Sequence, residues 1–164
     1  MKNVRVTIDT IWNGEDVKIR GKKVVQQTGF ELGKLVEKTA RFLAPVDSGY
    51  LRASITTQCG NGIGTEPGNP AALGGTGKQK GGGFSSWEMT IQAPTDPNEI
   101  YVGTPLYYAW HQEFGTIYMA PQTFLRASLE LAKGNMLTIT KVNAKFYFGE
   151  YLKEWDAYLS SRGV

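Results

Sequence analysis

KKVVQQTGFELGKLVEKTARFL, residues 22–43, is where the hydrophobic pattern of this 164-residue chain takes on a helical period. Val25, Thr28, Leu32, Leu35, Val36, Thr39 and Phe42 recur at three- and four-residue steps, with Glu31, Lys34, Glu37, Lys38 and Arg41 largely opposite. The spacing predicts one long amphipathic helix. Gly29 and Gly33 lie one turn apart inside it. Each costs about 1 kcal/mol relative to alanine, so another backbone is expected to come close at that point. Pro45 ends the pattern and pushes Ala44 toward an extended conformation.

Upstream, Val4, Val6 and Ile8 alternate with Arg5 and Thr7, which reads as a half-buried strand, and Asn13-Gly14 reads as a turn. Downstream, Asp47-Ser48-Gly49 reads as a cap opening a short helical turn through Tyr50, Leu51, Arg52 and Ala53. Residues 60–83 then hold ten glycines, two prolines and no aromatic side chain. Such a stretch buries too little apolar area to offset an ordering cost of about 1–2 kcal/mol per residue, so a long mobile loop is expected. Trp87, Met89 and Ile91 alternate with polar residues and predict a strand whose hairpin partner is Ile100–Val102.

Thr104-Pro105 supplies a helix start and Gly115 a helix stop, with Leu106, Ala109, Trp110 and Phe114 as one apolar stripe between them. Ala120-Pro121 opens a further helix whose inward residues are Phe124, Leu125, Ser128, Leu129 and Ala132, with Gly134-Asn135 at its end. Residues 136–142 suit either strand or helix. Phe148, Tyr151, Leu152, Trp155, Tyr158 and Leu159 predict an amphipathic C-terminal helix over about 146–160. Strands and helices do not alternate, so the fold class is α+β. A small antiparallel sheet packs against one long and two or three shorter helices, in a single domain spanning 1–164 with the glycine-rich loop 60–83 inserted.

Composition narrows the function. At 18.1 kDa and 41% hydrophobic residues the chain can bury a core. It carries 18 basic and 15 acidic residues, far from the balance of a dedicated nucleic-acid binder. Residues 1–60 and 121–164 are mildly basic and 61–120 mildly acidic. That pattern suits head-to-tail contacts between copies, although an ordinary mixed-charge surface has the same look. One cysteine, Cys59, excludes an internal disulfide framework, and one histidine, His111, excludes a multi-histidine metal centre. No apolar run is long enough for a transmembrane helix or a secretory signal.

Nothing in the sequence assembles catalytic machinery, and no cofactor is expected. A nucleophile needs a base in reach, and Gln112 and Glu113 point away from the ring of His111 on a helix. Gly74-Gly75-Thr76-Gly77-Lys78-Gln79 lacks the first glycine and the serine or threonine of a phosphate loop. The remaining signal is aromatic. Tyr50, Tyr101, Tyr107, Tyr108, Tyr118, Tyr147 and Tyr151 exceed what one small core absorbs with satisfied hydroxyls, which suits protein interfaces.

Three segments carry a resemblance: Ala44-Pro45-Val46-Asp47-Ser48-Gly49-Tyr50-Leu51-Arg52-Ala53-Ser54-Ile55; Tyr101-Val102-Gly103-Thr104-Pro105-Leu106-Tyr107-Tyr108-Ala109 running on to Glu113-Phe114-Gly115-Thr116; and Ala120-Pro121-Gln122-Thr123-Phe124-Leu125-Arg126-Ala127-Ser128-Leu129. In this order and at these separations they resemble the neck and tail-completion proteins of long-tailed, lambdoid-type bacteriophages, over residues 22–133. The resemblance implies a non-enzymatic structural virion protein of the head–tail junction, assembled in the host cytoplasm. It would be a homo-oligomeric ring, hexameric by preference, between a head-side connector and the tail terminator or tube. A tail-terminator ring is the alternative within the class, and a prophage-encoded DNA-binding accessory protein using the basic N-terminal third is the alternative outside it. The motif positions are Pro45, Asp47, Gly49, Leu51, Gly103, Tyr108, Glu113, Phe114, Gly115, Pro121, Phe124 and Arg126. Of these, Asp47, Gly49, Glu113 and Gly115 are expected to hold the fold by capping, turning and helix termination. Lys78 and Lys80 are candidates for an assembly contact or for facing DNA in a channel, and residues 60–83 are expected to order on assembly.

Overall fold

Helix α1, Gly14–Leu43, is the spine on which the other elements are laid. A computed structural model describes residues 14–76 and 89–161. The strand read at Val4–Ile8 lies outside them. The helix begins at Gly14 rather than Lys22, because Glu15 and Asp16 occupy its first turn, where carboxylates complement the helix dipole. It ends just before Pro45, as the sequence requires.

The buried face of α1 is Val24, Thr28, Gly33, Val36, Glu37 and Ala40. Two large side chains of the expected inward stripe, Val25 and Phe42, are exposed. The glycines explain the rotation. A Cβ on Gly29 would collide with Ile100, and one on Gly33 would stand 2.6 Å from Cγ2 of Thr57. The small residues mark the face the sheet approaches, and the bulky ones flank it.

Among the described residues that sheet has two antiparallel strands, β1 (Thr56–Cys59) and β2 (Ile100–Gly103), with Thr57 opposite Val102 and Cys59 opposite Ile100. The expected hairpin is corrected here: residues 89–92 form no strand, and the partner of Ile100–Val102 is Thr56–Cys59. Trp87 and Glu88 lie outside the described residues. The sequence hides β1 because its residues are polar yet buried. Thr57 Oγ1 donates to the Glu37 carboxylate at 2.8 Å, so the buried hydroxyl is satisfied. Between α1 and β1 runs α2, Tyr50–Ser54.

Helix α3 is Ala109–Phe114 and α4 is Leu125–Lys133. Thr104-Pro105 does not open α3. Thr104 Oγ1 instead accepts the Leu106 N–H at 3.2 Å and pairs with Ser54 Oγ at 2.6 Å, fixing an extended entry. Helix α5 runs unbroken from Met136 to Ser161, taking in the ambiguous 136–142 and the expected 146–160. It packs along α1, where Asn143 donates to Thr28 Oγ1 at 3.2 Å and to Glu31 at 3.0 Å. The side chains of Tyr151, Leu152, Trp155, Tyr158 and Leu159 lie outside the described set. The small α+β class expected from the sequence is the one observed.

One apolar cluster joins α1, α2, β2, α3 and α4: Ala40, Ala44, Leu51, Ile55, Ala109 and Phe124, with Val102, Tyr108 and Leu125 against it.

Residues 60–76 depart from the expected open loop. The Thr65 N–H bonds to Thr57 O at 2.8 Å, Gly68 to Ala53 O at 2.8 Å and Thr76 to Asp47 O at 3.2 Å. Two arginines complete the attachment. Arg41 donates to Ile55 O and Glu66 O, and Arg52 to Phe42 O, Ala44 O and Leu73 O. Backbone polar groups that composition suggested were solvated are met by β1 and these guanidiniums. Residues 77–83, Lys78 and Lys80 among them, lie outside the described residues.

Candidate assembly surface

The first motif is a turn built to be covered. Gly49 has φ 87 and is buried, and a Cβ there would strike Pro70 O. It occupies the N-cap position of α2, so Asp47 is not that cap. Asp47 is exposed and contributes its carbonyl to Thr76. Leu51 goes into the core, and Pro45 is half-buried where α1 stops.

The second and third motifs lock together through one carboxylate. Glu113, 5% exposed, accepts the backbone N–H groups of Phe124 at 2.8 Å, Leu125 at 2.9 Å and Arg126 at 2.9 Å. These are the free amides at the start of α4, where negative charge is favoured. Helix α3 thereby supplies the cap of α4, while α4's own N-cap residue, Phe124, offers no side-chain cap and is fully buried.

Gly115 makes this possible. With φ 75 it turns the chain out of α3, and its N–H bonds to His111 O. A Cβ there would stand 2.7 Å from Met119 O and 2.8 Å from the nitrogen of Pro121. Thr116 and Met119 close a tight turn whose tip, Ile117-Tyr118, is 90% and 92% exposed. Gln122 N–H returns to Gln112 O at 2.8 Å.

The same unit presents aromatics outward. Trp110 and Phe114, expected to be inward, are 65% and 47% exposed, their ring centroids 4.2 Å apart. The short α3 has room for only Ala109 and Glu113 on its inner face, which leaves the rings outside. Arg126 lies over the Phe114 ring at 5.4 Å. Tyr107 is exposed beside Tyr108, and the half-buried Tyr108 phenol is pushed up by burial, then by Tyr107 and Asp47. Leu129, expected to face inward, is half exposed on α4. Tyr107, Trp110, Phe114, Arg126 and Leu129 border an apolar groove of about 860 Å³ that continues between α1 and β2 to Gly29, Gly33, Ile100 and Val102. Gly103 closes β2 beside Ile91.

His111 is exposed, and Cys59 is a free, buried thiol pushed up by its burial. Among the described residues, no three acidic, histidine or cysteine side chains cluster as a metal site, and no helix is long and apolar enough to cross a membrane. Sequence reasoning missed Glu37, Arg41 and Arg52. It placed the first two on a solvated helix face. Their only signal is i,i+4 spacing, now an ion pair at 3.0 Å.

Comparison of the chain with protein-family models, with curated proteins and with solved structures finds no match.

Proposed function

We propose that this chain is a structural subunit of a phage head–tail junction, forming a homo-oligomeric ring between the head-side connector and the tail. The observation that carries the reading is the outward aromatic surface built by the motif segments themselves. Glu113 and Gly115 organise α3, the Ile117-Tyr118 tip and α4 so that Trp110, Phe114, Tyr107 and Tyr118 stay exposed in one region. Large aromatics held outward by a buried cap suit a partner surface, because exposed apolar patches of this kind mark protein contacts. The resemblance of the three segments to neck and tail-completion proteins supplies the identity of the partners.

The reading is tested in a phage whose genome carries this gene with an early stop codon. Electron microscopy of the lysate is expected to show full heads beside separate, normal-length tails. Tails of uncontrolled length would reassign the chain to the tail terminator, and normal infectious particles would refute a junction role.

A further inference from the structure

Residues 116–123 carry no charge, yet all of them except Met119 are exposed. The turn at their head is closed on itself. Thr116 N–H bonds to Met119 O at 2.9 Å, Met119 N–H returns to Thr116 O at 3.2 Å, and Tyr118 N–H bonds to Thr116 Oγ1 at 3.2 Å. With its backbone tied up in this way, the turn offers the side chains of Ile117 and Tyr118, and at 90% and 92% exposed neither packs against its own chain. Two adjacent large apolar side chains on a closed turn form a knob.

The apolar groove begins at the foot of the same turn, at Phe114. Its volume of about 860 Å³ falls in the range of ordinary binding pockets, about 300–1,000 Å³. The charges beside it are engaged: Glu113 holds three amides of α4 and Arg126 lies over the Phe114 ring. Such a groove fits an uncharged apolar occupant better than a phosphate backbone or a charged peptide, which would lose water there without matching partners.

We propose that the Ile117-Tyr118 tip of one copy seats in the groove of the next, head to tail. The inference rests on the ring reading above and names the two surfaces that make the ring. Knob and socket are different patches of one chain, so the contact is heterologous and repeats around a closed ring. Gly115 sets both in place, ending α3 at the groove and starting the turn, so each copy presents the two halves at a fixed spacing. A turn already ordered loses little freedom on docking. The area is adequate as well. Weighted by their exposure, the rings of Tyr107, Trp110, Phe114 and Tyr118 offer about 400–700 Å², at about 150–250 Å² per ring. That is roughly half of the about 1,200 Å² at which specific contacts begin, and Ile117, Leu129 and the polar rim add to it.

Disulfide trapping of the full chain tests the contact, in a Cys59→Ser background. Ile117→Cys with Leu129→Cys joins tip to groove wall, and mild oxidation is expected to give a ladder of covalent dimer, trimer and higher species on a non-reducing gel. Ile117→Cys with Lys38→Cys is the control, because Lys38 is exposed on α1 and lines a different cleft, and it is expected to stay monomeric. Equal laddering of both pairs, or none, overturns the proposal. A product that stops at dimer would mean reciprocal pairing, and a faster-running monomer would mean that the tip folds onto its own groove; either result overturns it.

Native mass spectrometry over a concentration series provides a second readout. Tyr118→Glu is expected to weaken self-association by about tenfold or more, whereas Phe42→Glu, 79% exposed in that other cleft, is expected to leave it unchanged. Oligomers that survive Tyr118→Glu refute the tip contact and leave the ring reading standing. An unmodified chain that stays monomeric gives the groove to another occupant and refutes the contact too, while the stop-codon lysate decides the junction reading separately.

Discussion

Glu113 and Phe124, eleven residues apart, meet as carboxylate and backbone N–H at 2.8 Å, and the same carboxylate holds the next two amides of α4. A buried charge is stable there because three donors and a helix dipole converge on it. Glu113→Ala leaves three amides unmet, and a loss of about 3 kcal/mol is expected. Glu113→Gln keeps one acceptor oxygen and is expected to lose less. Urea unfolding of the two variants checks the order, and equal losses would show that charge and acceptor number do not matter at this cap.

Gly115 is required by conformation and by space together. Gly115→Val is expected to cost more than about 3 kcal/mol, from positive φ plus contact with Met119 O and Pro121. Gly62 has φ 83 but nothing within 4 Å of a Cβ, so Gly62→Ala is expected to cost only about 1 kcal/mol. A Gly115→Val chain with an unchanged thermal midpoint would remove the turn from any structural role.

Within α1, position decides the sign of a glycine substitution. Gly21 has nothing near its missing Cβ, so Gly21→Ala is expected to stabilise by about 0.5–1 kcal/mol through helix propensity. Gly33→Ala carries the same propensity gain but presses on Thr57 and on Ile100 at 3.1 Å, and is expected to destabilise. Paired thermal melts decide the point.

Alkaline pH acts through Cys59 and Tyr108. Burial pushes the Cys59 thiol up from its ordinary value of 9.0, so the folded chain keeps a proton that the unfolded chain releases. The contribution is complete below pH 9 and declines as pH rises past it, and Tyr108 behaves alike above its ordinary 10.0. Urea midpoints measured across this range are expected to fall, and Cys59→Ala is expected to flatten the earlier part of the fall.

Trp110 is exposed, so Trp110→Glu is expected to leave the monomer's stability within about 0.5 kcal/mol. Native mass spectrometry of the purified chain is expected to show a ring that this substitution dissolves. A ring insensitive to Trp110→Glu would place the subunit contact elsewhere.

The long helix and Gly115's turn were legible in the sequence because each leaves a local mark, a period and a helix stop; the misplaced Gly33 marked a close approach too, but by side chains of Thr57, Ile100 and Val102 rather than by the backbone expected there. β1 was not legible. Its threonines and glutamine carry no alternation, and their burial depends on Glu37 and Thr65, eight or more residues distant. Trp110 and Phe114 were misread for a related reason: helical spacing identifies a stripe, but not whether anything lies against it. Gly49 had the right importance and the wrong company, since its close neighbours Pro70 and Gly75 are set by the tertiary fold.

The bonds from Thr65 to Thr57 O, Gly68 to Ala53 O and Thr76 to Asp47 O fasten residues 60–76 at three separate places: β1, the end of α2 and the turn after α1. A glycine-rich stretch held this way acts as a strap with redundant stitches. Loosening one leaves two holding, so the covering of Gly49 by Pro70 does not hang on any single bond.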